Sequence, residues 1–254
     1  MKNTRFIFPN AITLINLILG CSAITVVLMG NNEYNAAWLI ILAAICDLLD
    51  GWVARVLNAK SDFGVQLDSL ADMVSFGVAP SIILFKWFVL VLTNSSEFST
   101  FELISANNGQ KIILVCSFLF AAAAAVRLAR FNITPAQGKL FNGLTTTASA
   151  LIISSLWLIF SLDTALSEIL RPVLLNIFFV FILLIILIVL MLSNLKMLSL
   201  KFKGFAFKEN FWQYFILIGG ALLIAIFRIE GIFLSLMYYL ILSLIIALVR
   251  TKES

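Results

Sequence analysis

Apolar positions in this chain run in long blocks separated by short polar segments. Eight blocks stand out, at about 11–30, 34–54, 66–92, 111–131, 144–162, 172–193, 212–228 and 231–249, each near the ~20 residues that a helix needs to cross a bilayer. The pattern predicts an all-α, polytopic membrane bundle. No connection is long or polar enough to form a soluble domain. The first block follows Lys2 and Arg5, yet it lacks a small-x-small cleavage site and is interrupted by Asn10, Thr13 and Asn16, so it reads as a retained helix. Residues 1–9, with Phe6, Phe8 and Pro9, suit an interfacial lead-in. The segment 55–65, with Asn58, Lys60, Ser61, Asp62 and Gly64, reads as the break between spans two and three. Further loops are expected at 94–110, 132–143 and 194–211, and no internal repeat is visible. The last two blocks look like an addition to a six-helix core, which divides the chain into a core at 1–200 and, at 201–254, a basic loop with two extra helices.

Composition sharpens this picture. With 62% apolar and 12% charged residues and a mean hydropathy of +1.10, the chain is excluded from the soluble globular class. If eight spans start from a cytoplasmic N-terminus, thirteen of the 17 basic residues fall on the inner side and only Lys86, Lys111, Arg171 and Arg228 on the outer. That bias places both termini in the cytoplasm. The net charge of +4 then answers to an anionic lipid surface and gives no sign of nucleic acid. Cys21, Cys46 and Cys116 lie within apolar blocks without metal-ligand spacing and read as packing residues. Trp52, Trp87, Trp157 and Trp212 read as interface-belt residues. The chain contains no histidine, so any acid–base catalysis must rest on carboxylates.

Those carboxylates are concentrated. Asp47, Asp50, Gly51, Ala54 and Arg55 close the second block, and Gly64, Asp68 and Asp72 open the third, giving D-x2-D-G-x2-A-R-x8-G-x3-D-x3-D. A mid-membrane aspartate costs roughly 2.5–3.5 kcal/mol on insertion scales, so four of them need an offsetting partner. On helices, Asp47, Asp50, Gly51 and Ala54 share one arc, and Gly64, Asp68, Asp72, Ser75 and Ala79 share another. Two antiparallel helices joined by a short turn would bring the arcs together. Oxygen-only donors suit Mg²⁺ or Mn²⁺, and two such ions would neutralise the cluster and clamp a phosphoryl group. Gly51, Ala54 and Gly64 suit close approach of a bulky ligand, and Arg55 can pair with phosphate. The bland alternative, helix-end charges at headgroup level, accounts for any one aspartate better than for four at this spacing.

The pattern resembles the signature of the CDP-alcohol phosphatidyltransferases, with every fixed position filled. Pro9-Asn10 followed by Thr13 is similar to that family's first-helix entry, and Asn10, Thr13, Asn16 and Gly20 fall on one helical face. The resemblance implies six core helices, a homodimer, two divalent cations and a CDP-linked donor at the cytoplasmic face of what would be a bacterial cytoplasmic membrane. It makes Asp47, Asp50, Asp68 and Asp72 the metal ligands and Asp72 also the general base. It places Asn10, Thr13, Gly51, Ala54, Arg55, Gly64 and Ser75 around the donor.

Between the aspartates, Leu67-Asp68-Ser69-Leu70-Ala71-Asp72-Met73 resembles the phosphatidylserine synthase branch, as does Arg127-Leu128-Ala129-Arg130-Phe131-Asn132. Ser69 and Met73 stand where glycerol-phosphate-accepting relatives tend to have Pro and Lys. The implied reaction joins CDP-diacylglycerol and L-serine to give phosphatidylserine and CMP. Arg127 and Arg130, three apart, would then receive the serine carboxylate or a headgroup phosphate; ordinary positive-inside anchoring is the alternative. One departure is Gly143-Leu144-Thr145, where Gly-Leu-Pro is usual. Small residues at Ala121–Ala125 offer a packing face for a second copy. Two other readings stay open: another alcohol acceptor, such as an inositol or glycerol phosphate, and a divalent-cation transporter, which also uses intramembrane carboxylates.

Overall fold

The computed structural model describes residues 6–30, 34–59, 61–93, 107–133, 140–162, 165–198 and 210–251. The expected outer loop 94–110 and lysine-rich segment 194–211 lie largely outside these residues, as do Lys2, Arg5, Lys60 and Lys139. The described chain forms nine helices: α1 (Ile7–Met29), α2 (Tyr34–Val56), α3 (Asp62–Thr93), α4 (Asn108–Ile133), α5 (Thr146–Ser161), α6 (Ala165–Leu174), α7 (Ile177–Leu192), α8 (Phe211–Phe227) and α9 (Glu230–Thr251). All eight apolar blocks fall on helix, but fewer helices reach spanning length than the sequence suggests. Five are long and apolar enough to cross a membrane, and α5 with α6, bent by 112°, would make a sixth. The block 172–193 is split because Asn176 caps α7, its side chain accepting from Phe178 N at 2.9 Å. That leaves α7 with 16 residues, and α8 has 17, about 24–26 Å at 1.5 Å per residue. The molecule is an integral membrane protein with several apolar helices.

Helix α5 is the axis of the bundle. Twelve of its 16 residues are buried, a burial all round that matches its near-absence of polar side chains beyond short hydroxyls. It packs against α2, α3, α6 and α9. Around it lies the second half of α3, where Phe76, Ile83, Leu84, Trp87 and Phe88 are wholly buried. Trp87 and Trp157 therefore belong to the core and not to an interface belt. Their rings meet edge-on at 5.8 Å, and Trp87 Nε1 donates to the Leu174 carbonyl at 2.8 Å, the partner that a buried indole N–H requires. Trp52 and Trp212 are exposed, as a belt residue would be. Lys86, counted among outer charges from the sequence, is buried on α3. Of the small residues on α4, Ala123 and Ala124 pack inward, so only Ala122 and Ala125 remain exposed for any neighbour.

One strand pair departs from the all-helical expectation. Leu140–Asn142 (β1) pairs antiparallel with Lys196–Leu198 (β2), Leu140 opposite Leu198 and Asn142 opposite Lys196. Both fall in segments expected as loops, where pairing satisfies backbone groups that apolar surroundings would leave unbonded. The pair delivers the chain to α5 through Gly143, whose φ is +72°. Its N–H donates to Leu195 O at 2.8 Å, and Leu144 N–H donates to Leu190 O at 2.9 Å. A Cβ on Gly143 would lie 2.6–2.9 Å from the carbonyl oxygens of Met191, Ser193 and Leu190. Thr145 then caps α5, accepting from Ala148 N at 3.1 Å. The threonine that stands in place of the more usual proline is thus a helix cap. Gly143→Ala should lower the apparent Tm in detergent by at least about 2 °C, since left-handed backbone costs an L-residue roughly 1–2 kcal/mol before any clash; an unchanged melt would contradict this placement.

Candidate active site

The turn after α2 sets the site. Asn58 takes a left-handed conformation (φ +49°), which asparagine tolerates better than most residues. Ser61 caps α3 by accepting from Gly64 N at 3.0 Å. With α3 helical from Asp62, both aspartate pairs stand on helices at one end of the bundle. Oxygen atoms of Asp47, Asp50 and Asp68 lie within 4.8 Å of one another. Asp72, one turn deeper, is buried and stays within electrostatic reach of the other three.

Helix α1 holds this cluster from below. The Thr13 hydroxyl lies 2.6 Å from Asp50 Oδ2 and 3.0 Å from the Pro9 carbonyl; its single proton goes to the nearer, charged acceptor. Asn16 Nδ2 donates to Asp72 Oδ1 at 3.3 Å. Ser75 Oγ donates to the Asn16 carbonyl at 2.9 Å. Next to Gly20 the helices touch backbone to backbone, because a Cβ there would overlap Ser75 Oγ and sit 2.8 Å from Ser75 Cα. The straight third helix assumed from the sequence is interrupted just here: Met73–Val78 is a π-turn closed by Ala79 N–H to Val74 O. π-turns concentrate at functional sites, and this one follows Asp72 directly, with Ser75, Phe76 and Gly77 all buried. Opposite Gly64 lies Asn10, whose Oδ1 would be 3.3 Å from a Cβ at that position. Gly51 faces open space.

The basic residues separate. Arg127 is half-buried and reaches the start of α5, Nη1 donating to Thr146 Oγ1 at 3.4 Å. It is also within electrostatic reach of Asp72 and Tyr239, and its Nε is buried without a hydrogen-bond partner. Arg130 is exposed, and its Nη1 donates to Leu192 O at 3.3 Å, at the end of α7. The two arginines thus differ in burial and bond different elements, Arg127 at the start of α5 and Arg130 at the end of α7. Arg55 is exposed as well, with Nε on the Gly51 carbonyl at 2.9 Å; no side chain contact among those described draws Ala54 into the cluster.

Two contributions went unread in the sequence. Thr147 donates to Asp47 Oδ2 at 3.4 Å across 100 residues of chain, and Tyr239 of α9, bonded to Leu198 O at 3.0 Å, stands beside Arg127. Neither carries a local signal: each matters only through packing. A third contact joins the two segments singled out by resemblance. Asn132 Nδ2 donates to Ser69 Oγ at 2.9 Å, tying the end of α4 to the helix that carries Asp68 and Asp72.

The donor set fits a hard divalent cation. It is oxygen only, three carboxylates converge, and Asp68 Oδ1 is buried without a hydrogen-bond partner. Such crowding of like charge is unfavourable until a cation joins it. Mn²⁺ titration by calorimetry should show binding that Asp47→Asn, Asp50→Asn and Asp68→Asn each weaken at least about tenfold. Thr147→Ala should weaken it by no more than about tenfold, the lower bound for a group that bonds a metal-binding side chain; undiminished binding in Asp68→Asn would contradict the site.

Comparison with known proteins places this geometry. The family model for CDP-alcohol phosphatidyltransferase matches residues 6–249. The chain is 36% identical over 156 residues to CDP-diacylglycerol--serine O-phosphatidyltransferase of Helicobacter pylori (strain J99), covering 59% of this chain and 57% of that protein. It is 36% identical over 142 residues to the protein of the same name from Methanocaldococcus jannaschii, covering 56% of each. It is 37% identical over 161 residues to archaetidylserine synthase of Methanothermobacter thermautotrophicus, covering 62% of this chain and 60% of that one. The chain thus spans little more than half the length of the curated relatives it matches.

Proposed function

The chain belongs to the CDP-alcohol phosphatidyltransferase family, and we propose that within it this protein transfers the phosphatidyl group of CDP-diacylglycerol to the hydroxyl of L-serine, giving phosphatidylserine and CMP. The observation that carries the reading is the convergence of Asp47, Asp50 and Asp68 with Asp72 buried beside them. The choice of serine is supported by the names of the relatives and by the Ser69–Asn132 contact between the two serine-branch segments.

Asp47, Asp50, Asp68 and Asp72 would hold two divalent cations, Mg²⁺ or Mn²⁺, which supply charge stabilisation to the diphosphate and the developing transition state. The acceptor hydroxyl gives its proton to a carboxylate oxygen of Asp72 as its oxygen bonds to the phosphorus of the phosphatidyl group. The bond from that phosphorus to the bridging oxygen breaks, and CMP leaves as an anion without needing a proton donor. Thr13 keeps Asp50 aimed at the cluster. Asn10, Gly51, Ala54, Arg55, Gly64 and Ser75 belong to the donor side. Arg127, beside Asp72 and with an uncommitted Nε, receives the acceptor's carboxylate. Arg130 acts from the rim, where it also ties α4 to α7.

We place this site on the cytoplasmic side of a bacterial cytoplasmic membrane, with both termini inside and eight spans, because thirteen of 17 basic residues then lie inside. The unit is a homodimer, with 1–200 as the catalytic core and 201–254 adding the last two helices.

The test is CMP release from CDP-diacylglycerol by purified protein. Release should require both L-serine and Mn²⁺ or Mg²⁺ and should fall at least about 100-fold in Asp72→Asn. Release with glycerol phosphate or inositol phosphate but not serine would overturn the acceptor. No release with any alcohol would overturn the transferase reading.

A further inference from the structure

Asn16 is not among the residues to which the resemblance gives a role, yet it is wholly enclosed at the site, with 0% of its surface exposed. Its backbone carbonyl is held by Ser75 Oγ at 2.9 Å, and Gly20, one turn further along α1, brings the same helix against Ser75. The backbone that carries the amide is thus fixed against α3, and the side chain has no surface open to water. Its Nδ2 donates to Asp72 Oδ1, while its own Oδ1 is buried without a hydrogen-bond partner. The reversed amide would set Oδ1 against a carboxylate oxygen. The orientation is thus dictated by Asp72, even though it strands a buried carbonyl, an arrangement that stability alone disfavours.

We propose that Asn16 is the positioning residue of the catalytic carboxylate: by holding Oδ1 of Asp72 it fixes which oxygen, Oδ2, is presented to the acceptor hydroxyl. The π-turn serves the same end. By starting directly after Asp72 it lets one residue of α1 hold both the side chain of Asp72 and that of Ser75. Thr13 does for Asp50 what Asn16 does for Asp72, so α1 presents two hydrogen-bond donors a turn apart to two carboxylates on different helices. This inference rests on the reading of Asp72 as the base.

Asn16→Leu tests it, because leucine matches asparagine in shape and removes the stranded carbonyl together with the donor. The expected result is a fall in kcat of about 10–100-fold, up to the lower bound of what general-base catalysis supplies, because Asp72 itself remains. KM for CDP-diacylglycerol and the apparent Tm should stay near wild type, and Mn²⁺ binding should weaken by no more than about tenfold, as for Thr147→Ala. Asn16→Ala should show the same split and serves where the leucine variant does not fold. An unchanged kcat in either variant would overturn the proposal. So would a joint loss of donor binding, Mn²⁺ binding and Tm, which would make Asn16 a structural residue. The assays use whichever alcohol the wild type accepts, so that a wrong acceptor shows in the wild-type protein and a wrong role for Asn16 only in the variants.

Discussion

Like-charge repulsion among four aspartates at one end of an apolar bundle is the constraint to which the rest of the structure answers. Buried carboxylates so close together demand cations, and they also demand a scaffold that cannot relax by letting them drift apart. Helix α1 supplies part of that scaffold through Thr13 and Asn16, which grip Asp50 and Asp72 respectively. Helix α5 supplies another part from the opposite side, through Thr147 on Asp47. Among the described residues, Asp47, Asp50 and Asp72 each accept a hydrogen bond from a neutral side chain. A donor of that kind orients the carboxylate without neutralising the charge that a divalent cation requires.

The fold explains how those donors reach their partners. Gly20 lets α1 approach the π-turn of α3 closely enough for Asn16 to span it. Gly143, whose missing Cβ clears three carbonyls at the end of α7 and whose φ is +72°, leads the chain into Thr145 and so into the first turn of α5. Thr146 and Thr147 follow immediately, one on Arg127 and the other on Asp47. A loop glycine remote from the carboxylates in sequence therefore governs the position of two side chains at the site. Arg127 in turn is within electrostatic reach of both Asp72 and Tyr239 of α9, which brings the last helix to the edge of the cluster.

Much of this was legible before any coordinates. Apolar blocks locate eight of the nine described helices because a membrane leaves helices few alternatives, missing α6, most of which lies between two blocks, and the spacing of the four aspartates announces a shared face. Span count was less legible, since block length does not reveal that Asn176 would start a new helix inside the block 172–193. Hydropathy also cannot separate a tryptophan facing lipid from one facing the core, which is why Trp87 and Trp157 were misplaced. The π-turn was invisible because it changes helical phase without changing composition. Thr147 and Tyr239 act across 100 residues or more of chain, and Arg127 and Arg130, adjacent on a helical wheel, differ in burial and in the groups they meet. Only packing decides such matters.

The central claim is that the convergent carboxylates exist to hold divalent cations beside the reacting phosphate. Diffraction from crystals grown with Mn²⁺ and a CDP-linked lipid, recorded at the manganese absorption edge, tests it most directly. The account predicts anomalous density bounded by Asp47, Asp50 and Asp68, with Asp72 adjoining it and the diphosphate on its open side. Manganese found elsewhere, with these four aspartates bridged by protons or solvent alone, would contradict it.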